Sequence, residues 1–204
     1  MLKLKRIAIT GGLSCGKSSV CQVFKELGAF VVSADEIVHE LLSPAKSLGQ
    51  QIISLLGSEI VKDGKIDRSV IAQKVFKNKK LLHSLEKLIH PIVLNEIEKK
   101  YQEVDNQGNT SLFIVEIPLL FEVGAEKDFD AVIVVQADEA ICKKRFTTTG
   151  YEEKEFIKRM ANQMPIDEKA KCADYIIENS GNLEQMRHAV VEIFIKLTAS
   201  IPTI

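Results

Sequence analysis

The chain has little of several features that mark specialised classes of protein. Its 204 residues include no tryptophan, and 27 basic against 28 acidic side chains give a formal net charge of −1. A charge so close to zero offers no electrostatic footprint for nucleic acid or an anionic membrane, so we expect neither as a partner. No apolar run approaches the roughly eighteen residues of a membrane span, and the pattern of the first residues leads us to expect no secretory leader. We expect a cytoplasmic protein, either a monomer or a weak homo-oligomer.

Cysteine is also scarce, and the spacing of the cysteines does not match a Cys/His metal site or a redox pair. Cys15, Cys21, Cys142 and Cys172 form no CxxC motif and no Cys/His ligand pattern. In a reducing compartment such residues are free thiols. The remaining composition, with 46% hydrophobic and 27% charged residues, is typical of one globular domain with an elaboration.

Short apolar runs bounded by turn residues predict five strands buried on both faces. They read RIAIT, AFVVSAD, SLFIVEIP, DAVIVVQAD and DYIIENSG. Between the first two runs, Val20, Val23, Phe24 and Leu27 fall on one helical face, and Gly28 ends that helix. A strand, a helix and a strand in this order predict parallel pairing. We therefore expect an α/β fold, with a five-stranded parallel sheet flanked by helices.

A helical insertion separates the second predicted strand from the third. Residues 43–111 show mainly helical periodicity, and we assign them to a domain set into a core of residues 1–42 and 112–204. A second helical excursion, at about residues 145–166, follows the fourth strand. The architecture is thus an α/β core with two helical elaborations.

Local sequence signals predict turns and helix ends in the helical insertion and at the start of the last helix. Asp63 and Gly64 predict a turn, and Asp67 predicts the N-cap of the helix that follows. The pair His90–Pro91 predicts a break between two helices, because the residue before proline avoids the α region. Asn182 and Gln185 have the spacing of a capping box at the start of the last helix.

The stretch AITGGLSCGKSSV lies between the first strand and the first helix. Gly11, four further residues, then Gly16, Lys17 and Ser18 match the P-loop pattern in the context that this motif requires. Its glycines let backbone N–H groups turn towards phosphate oxygens, Lys17 reaches the β and γ phosphates, and Ser18 binds Mg²⁺. The alternative is a tight glycine turn without chemical function. The predicted nucleotide-binding residues of this loop are Gly11, Gly12, Ser14, Cys15, Gly16, Lys17, Ser18 and Ser19.

Two acidic residues lie where the second and third strands end. Asp35 follows VVSA, at the sheet edge where ligands of parallel sheets bind, so it could deprotonate an attacking hydroxyl or hold the metal through water. It could equally cap the next helix, and the two roles are compatible. Glu116, in LFIVEIP, is a candidate for the magnesium shell, with a structural hydrogen bond as the alternative.

Basic residues crowd the excursion after the fourth strand and could neutralise charge on a triphosphate. We select Arg145 among them, although a solvated helix face would also account for the cluster. Arg68 could reach a phosphate of the acceptor or make a surface ion pair. The basic residues of the excursion are Lys143, Lys144, Arg145, Lys154, Lys158 and Arg159.

Together the motifs resemble those of the dephospho-CoA kinases, in order along nearly the whole chain. The P-loop is shared by many families, whereas the PLLFE segment and the closing ADYIIENSG segment are far more specific. The matching segments are ITGG at the P-loop, AD at 34–35, GKIDR at 64–68, HP at 90–91, IPLLFE at 117–122 and QMPIDEKAKCADYIIENSG at 163–181.

The resemblance implies transfer of the ATP γ-phosphate to the 3′-hydroxyl of dephospho-CoA, with Mg²⁺, as the last step of coenzyme A synthesis. It implies a P-loop NTPase-type core, a CoA-substrate domain at 43–111 and a lid at about 145–166. By position, Asp35 is the base, Lys17 and Arg145 join it in catalysis, and Ser18 and Glu116 hold the metal, partly through water. The residues implied on the acceptor side are Asp35, Arg68, His90, Pro118 and Leu119, and those near the adenine are Asn179 and Gly181.

Three positions depart from the usual pattern of that family. Ser33 replaces an aspartate, Ser14 replaces a glycine at some cost in backbone freedom, and TTTG at 147–150 lacks an arginine of the family's lid. Another cation, Arg145 or Arg159 or a lysine, would then meet the γ-phosphate.

The residues leave two further interpretations of the function open. The chain could be a nucleoside monophosphate kinase, or a regulatory protein that binds ATP without transferring phosphate. Cys15 adds a hypothesis of its own, since nearby N–H groups and Lys17 could lower the pKa of its thiol and make the loop sensitive to oxidation. The alternative is a small inert side chain in a tight turn.

Overall fold

The computed structural model describes residues 4–75 and 78–199 of the chain. They form two compact units, one from the described parts of Met1–Ser33 and Tyr101–Ile204 and the other from those of Ala34–Lys100. Within the described ranges, no helix has both the length and the apolar character needed to cross a membrane.

The strands are β1 (Lys5–Gly11), β2 (Phe30–Ser33), β3 (Val61–Lys62), β4 (Lys65–Ile66), β5 (Leu112–Glu116), β6 (Ala131–Gln136) and β7 (Tyr175–Glu178). The helices are α1 (Lys17–Glu26), α2 (Ala34–Leu41), α3 (Ser47–Leu56), α4 (Arg68–Val75), α5 (Lys79–Gln107), α6 (Glu139–Thr148), α7 (Glu153–Met160), α8 (Ile166–Lys171) and α9 (Leu183–Ala199).

The first unit is built on the predicted five-stranded parallel sheet, in the order β2-β5-β1-β6-β7. Its strands are apolar on both faces because helices cover both faces, and Ile9, Ile114 and Ile133 are fully buried. The register aligns Glu116 with Ile9 on one side and with Ser33 on the other. The carboxyl ends of β1, β2 and β5 therefore share one edge, where candidate site residues collect.

The second unit has its own apolar core and contains a hairpin that helical periodicity did not predict. The predicted helical periodicity agrees with the structure, since the helical residues Leu48, Ile52 and Leu85 are buried in one cluster. The turn predicted at Asp63 and Gly64, both with positive φ, connects β3 and β4 as a two-stranded antiparallel ribbon. Strands of two residues are too short for a period to appear in the sequence.

The predicted helix break at His90–Pro91 is wrong, since α5 runs through Pro91 without interruption. A proline inside a helix removes one backbone hydrogen bond and crowds the preceding turn, at a cost of about 3 kcal/mol. Leu88, Ile89 and Ile92 surround the proline and pack against the core of this unit. Burial of these side chains offsets the cost, so packing overrides the local preference.

Two predicted helix starts are confirmed by their hydrogen bonds. Asp67 Oδ1 accepts the N–H of Ser69 at 2.9 Å and that of Val70 at 3.3 Å, as an N-cap does. The same carboxyl accepts from the Ser69 hydroxyl and pairs with Lys62, which holds its pKa well below the ordinary value. At α9 the Asn182 N–H donates to Gln185 Oε1 at 3.0 Å, and the Gln185 N–H donates to Asn182 Oδ1 at 2.9 Å. This reciprocal pair is the predicted capping box.

Candidate active site

The loop between β1 and α1 has a backbone that requires glycine at both ends. Gly11 has φ 145°, and a Cβ built on it would lie 2.0 Å from the Val135 carbonyl oxygen on the adjacent strand β6. Gly16, directly before α1, has φ 95°. Any other residue would be strained or would clash at these two positions, so the motif's glycines have a structural reason.

Ser14 has φ 56°, which puts it in the left-handed region. The related family usually has glycine at this position. Serine has less backbone freedom than glycine, so Ser14 is strained in this conformation. A non-glycine residue in this region costs roughly 1–2 kcal/mol.

Lys17 is nearly buried, at 8% exposure, and its amine lies inside the loop. Its Nζ donates to the Gly12 carbonyl at 2.8 Å and to the Gly11 carbonyl at 3.4 Å. Both partners are oxygens that any anion in the loop would replace as acceptors. The arrangement concentrates a cation and the positive end of α1 at one point, which is the electrostatic condition for binding phosphate.

Ser18 and Glu116 lie together at the carboxyl edge of the sheet. The Ser18 hydroxyl, at the start of α1, donates to Glu116 Oε1 at 3.1 Å. This is the structural hydrogen bond that was the alternative for Glu116, yet the same two oxygens suit Mg²⁺. Mg²⁺ takes one or two protein oxygens and completes its shell with waters and phosphates, so the pair fits the ion. Among the described residues no group of three or more His, Cys, Asp or Glu could hold a metal alone.

Three segments meet at the carbonyl oxygen of Cys15 in the P-loop. Asn179 lies just beyond β7, and its Nδ2 donates to this oxygen at 2.8 Å. Nη1 of Arg145, on α6, donates to the same oxygen at 3.4 Å. The other terminal nitrogen of Arg145 donates to the Asn179 carbonyl at 3.0 Å. Arg145 and Asn179, which the sequence analysis predicted for different roles, thus contact the same P-loop carbonyl, that of Cys15.

The Cys15 side chain belongs to the core of the first unit and is 1% exposed. Burial raises the pKa of its thiol, although Lys17 and backbone N–H groups act in the opposite direction. The hypothesis of a lowered pKa is therefore wrong, and the alternative of an inert small side chain is the one that the structure favours. Desolvation of the thiolate outweighs the nearby positive charge.

A buried lysine that sequence reasoning missed ties two segments beside the loop. Lys169 on α8 has no exposed surface, and its Nζ lies 2.9 Å from Glu122 Oε1 and 2.9 Å from the Pro118 carbonyl. Glu122 Oε1 also accepts the Met164 N–H at 2.8 Å, and the Thr10 hydroxyl donates to the Pro118 carbonyl at 3.2 Å. Burial lowers the pKa of Lys169 while Glu122 acts against that change. In the sequence IDEKAK this lysine is indistinguishable from a surface residue.

Removing the charge of Lys169 is expected to destabilise the first unit. Lys169→Met keeps most of the stem but leaves the mostly buried Glu122 carboxylate without its cation, at a cost of about 3 kcal/mol in free energy of unfolding. Urea denaturation measures the change, and Lys171→Met, at an exposed position of the same helix, is the control. Adding Glu122→Gln should recover part of the loss. An unchanged midpoint in Lys169→Met would contradict the assignment.

Four further predicted residues belong to the first unit. Pro118 and Leu119 follow β5 and are half-buried, with the Pro118 carbonyl directed to Thr10 and Lys169. Ser19 is exposed in the first turn of α1, and Gly181 is exposed just before α9.

Two of the other cations of the excursion after β6, Arg159 and Lys143, have partners within it. Arg159 pairs with Glu155 at 3.1 Å and stacks over the rings of Phe146, at 5.5 Å, and Tyr151, at 4.8 Å. Lys143 lies 2.5 Å from Glu153. These contacts hold Arg159 against the aromatic side chains.

Asp35, Arg68 and His90 belong to the second unit. Asp35 is exposed in the first turn of α2, two residues after β2 ends. A carboxylate at this position also interacts favourably with the helix dipole. Arg68 is exposed at the first residue of α4. His90 is half-buried on α5, and burial lowers the pKa of its imidazole while Glu86 acts in the opposite direction.

The parallel sheet, the glycine-bounded loop and the Lys17, Ser18 and Glu116 cluster define a P-loop protein of the small-molecule kinase type. A family model described as dephospho-CoA kinase matches residues 5–185, and the chain belongs to that family.

Known proteins of similar sequence and structure agree with this assignment. The dephospho-CoA kinase of Protochlamydia amoebophila is 50% identical over 199 residues, covering 97% of this chain and 98% of that protein. The structure of a dephospho-CoA kinase from Campylobacter jejuni matches with a TM-score of 0.70 at 30% identity, over 95% of this chain and 97% of that one. The crystal structure of TT1252 from Thermus thermophilus matches with a TM-score of 0.83 at 29% identity, over 96% and 99% of the two chains.

Proposed function

We propose that this protein transfers the γ-phosphate of ATP to the 3′-hydroxyl of dephospho-CoA and releases coenzyme A and ADP. The observation that carries the proposal is a complete P-loop site in a chain that matches the dephospho-CoA kinase family along residues 5–185. The reaction is the last step of coenzyme A synthesis. Its chemistry needs positioning and charge stabilisation more than covalent catalysis, and the loop supplies both.

The nucleotide side of the site belongs to the first unit. Loop N–H groups and Lys17 bind the β and γ phosphates, where Lys17 exchanges its carbonyl partners for phosphate oxygens. Ser18 and Glu116 are proposed to hold Mg²⁺, which would neutralise charge on the phosphates when bound. Arg145 adds positive charge beside the Cys15 carbonyl of the loop. The resemblance implies that Asn179 and Gly181 lie on the adenine side.

Five residues are proposed for the acceptor side of the site. Asp35 accepts the proton of the 3′-hydroxyl, and its place two residues after β2 supports this role. Arg68, with an exposed guanidinium, is proposed to bind a phosphate of the acceptor, together with His90 and the half-buried Pro118 and Leu119. Residues 43–111 form the acceptor domain in this proposal, and residues 145–166 a lid that keeps water from the transferred phosphate.

A panel of acceptors tests the proposal. Purified protein with ATP and Mg²⁺ should release ADP rapidly with dephospho-CoA and slowly with water, adenosine monophosphate or other nucleoside monophosphates. Rapid release with a nucleoside monophosphate would instead establish the alternative kinase. Tight ATP binding with no phosphorylated acceptor would establish a regulatory protein, and equal ADP release without any acceptor would exclude a kinase.

A further inference from the structure

The Cys15 carbonyl is held from two remote parts of the chain. Its donors, Asn179 Nδ2 at 2.8 Å and Arg145 Nη1 at 3.4 Å, come from residues 164 and 130 positions away in sequence. Asn179 is 7% exposed, and its own backbone N–H donates to the Gln136 carbonyl at 2.8 Å. Because β6 and β7 fix that backbone, the carboxamide reaches the loop from a rigid support.

A carbonyl at this position affects how the loop meets an anion. In a phosphate-binding loop the N–H groups point inward, so carbonyl oxygens must point away from the anion and find other donors. The carboxamide of Asn179 supplies such a donor for Cys15, one residue before Gly16 and two before Lys17. Loss of that bond would leave a buried acceptor without its shortest partner and free the peptide to rotate.

Gly16 and Asn179 are also matched in shape. A Cβ built on Gly16 would lie 2.2 Å from Asn179 Nδ2, so any side chain there would displace the carboxamide. The glycine before Lys17 is thus required by its positive φ and by the space that Asn179 occupies. Both observations concern the same contact between the carboxamide and the loop.

We propose that Asn179 is a positioning residue for the phosphate-binding loop, acting through the Cys15 carbonyl and independently of the nucleotide base. The resemblance implies that Asn179 lies near the adenine. If Asn179 recognised the base, its replacement would weaken the binding of ATP but not that of a triphosphate without a base. A role through the loop makes it equally important for any ligand that carries a triphosphate. The inference rests on the proposed binding of triphosphate by the P-loop and not on the identity of the acceptor.

Calorimetric titration with ATP and with inorganic tripolyphosphate, which has no base, separates these roles. In Asn179→Ala we expect Kd for both ligands to rise by the same factor, about five- to tenfold. Asn179→Leu, which keeps the branching and the number of side-chain heavy atoms of asparagine but has no donor, should give the same result and protects the test against a variant that fails to fold. Binding of dephospho-CoA alone should be unchanged in both variants.

Thr198→Val is the matched control, because half-buried Thr198 on α9 also donates a side-chain group, its hydroxyl, to a backbone carbonyl, that of Phe194 at 2.8 Å. Its Kd values should equal those of the unaltered protein. A rise in Kd for ATP with unchanged Kd for tripolyphosphate would overturn the inference in favour of base recognition. Unchanged Kd for both ligands would also overturn it. If the unaltered protein bound neither ligand, the proposed function itself would fail.

Discussion

Replacing Lys17 with alanine is expected to lower kcat/KM for ATP by about 10²–10³-fold, the range for loss of one preorganised electrostatic contact to a transition state. Lys17 is the cation that the structure places within the loop, with its amine 2.8 Å from the Gly12 carbonyl. A shorter apolar residue leaves the loop N–H groups in place but removes the positive charge that meets the β and γ phosphates. Both ATP affinity and turnover should fall, because the charge on those oxygens is present in the ground state and grows in the transition state.

Initial rates at varied ATP concentration, with dephospho-CoA saturating, measure this change. Lys25→Ala, at an exposed position near the end of the same helix, removes an equal charge away from the loop and should leave both kinetic constants within about twofold. If Lys17→Ala retained ordinary turnover, the loop would not be the site of phosphoryl transfer.

Replacing Asp35 with asparagine is expected to lower turnover by about 10²-fold or more, the usual contribution of a general base. Asparagine has nearly the same shape and can still serve the first turn of α2, but it cannot accept the proton of the attacking hydroxyl. ATP binding should remain nearly intact, since the nucleotide contacts proposed above lie on the P-loop. The combination of low kcat and unchanged Kd for ATP distinguishes a base from a residue that binds nucleotide.

Glu40→Gln is the matched control for Asp35→Asn, because Glu40 is an exposed acid on the same helix α2. Single-turnover measurements with the two variants compare the chemical step directly. Equal rates in Asp35→Asn and the unaltered protein would assign Asp35 to the helix terminus alone.

Much of the first unit could be predicted from short patterns. Parallel strands buried on both faces leave continuous apolar runs, so RIAIT, SLFIVEIP and DAVIVVQAD were sufficient to predict the sheet. The P-loop is a local motif whose glycines serve local backbone needs, and the Gly11 and Gly16 geometry follows that prediction. The hydroxyl of Ser18 and the carboxylate of Glu116 lie close for a reason equally visible in sequence. Ser18 comes after β1, and Glu116 ends the neighbouring parallel strand β5, so both lie at the same edge of the sheet.

What the sequence could not predict depends on contacts between distant segments. The pairing of Lys169 with Glu122, and the donation from Asn179 to the Cys15 carbonyl, join residues whose separation carries no periodic signal. Pro91 was misinterpreted because its local preference for ending a helix competes with packing on both sides, which local rules do not include. The pKa of Cys15 was misjudged in the same way, since burial of its side chain outweighs the cation beside it.

The central claim is that phosphate passes from ATP to the 3′-hydroxyl of dephospho-CoA. Its most direct test uses ATP labelled at the γ-phosphate, with the products separated and the labelled species identified by phosphorus NMR and mass spectrometry. The label should appear in the 3′-phosphate of coenzyme A, in amounts equal to the ADP formed, and Lys17→Ala should abolish most of this transfer. Label found in inorganic phosphate, or in another acceptor while dephospho-CoA stays unmodified, would contradict it.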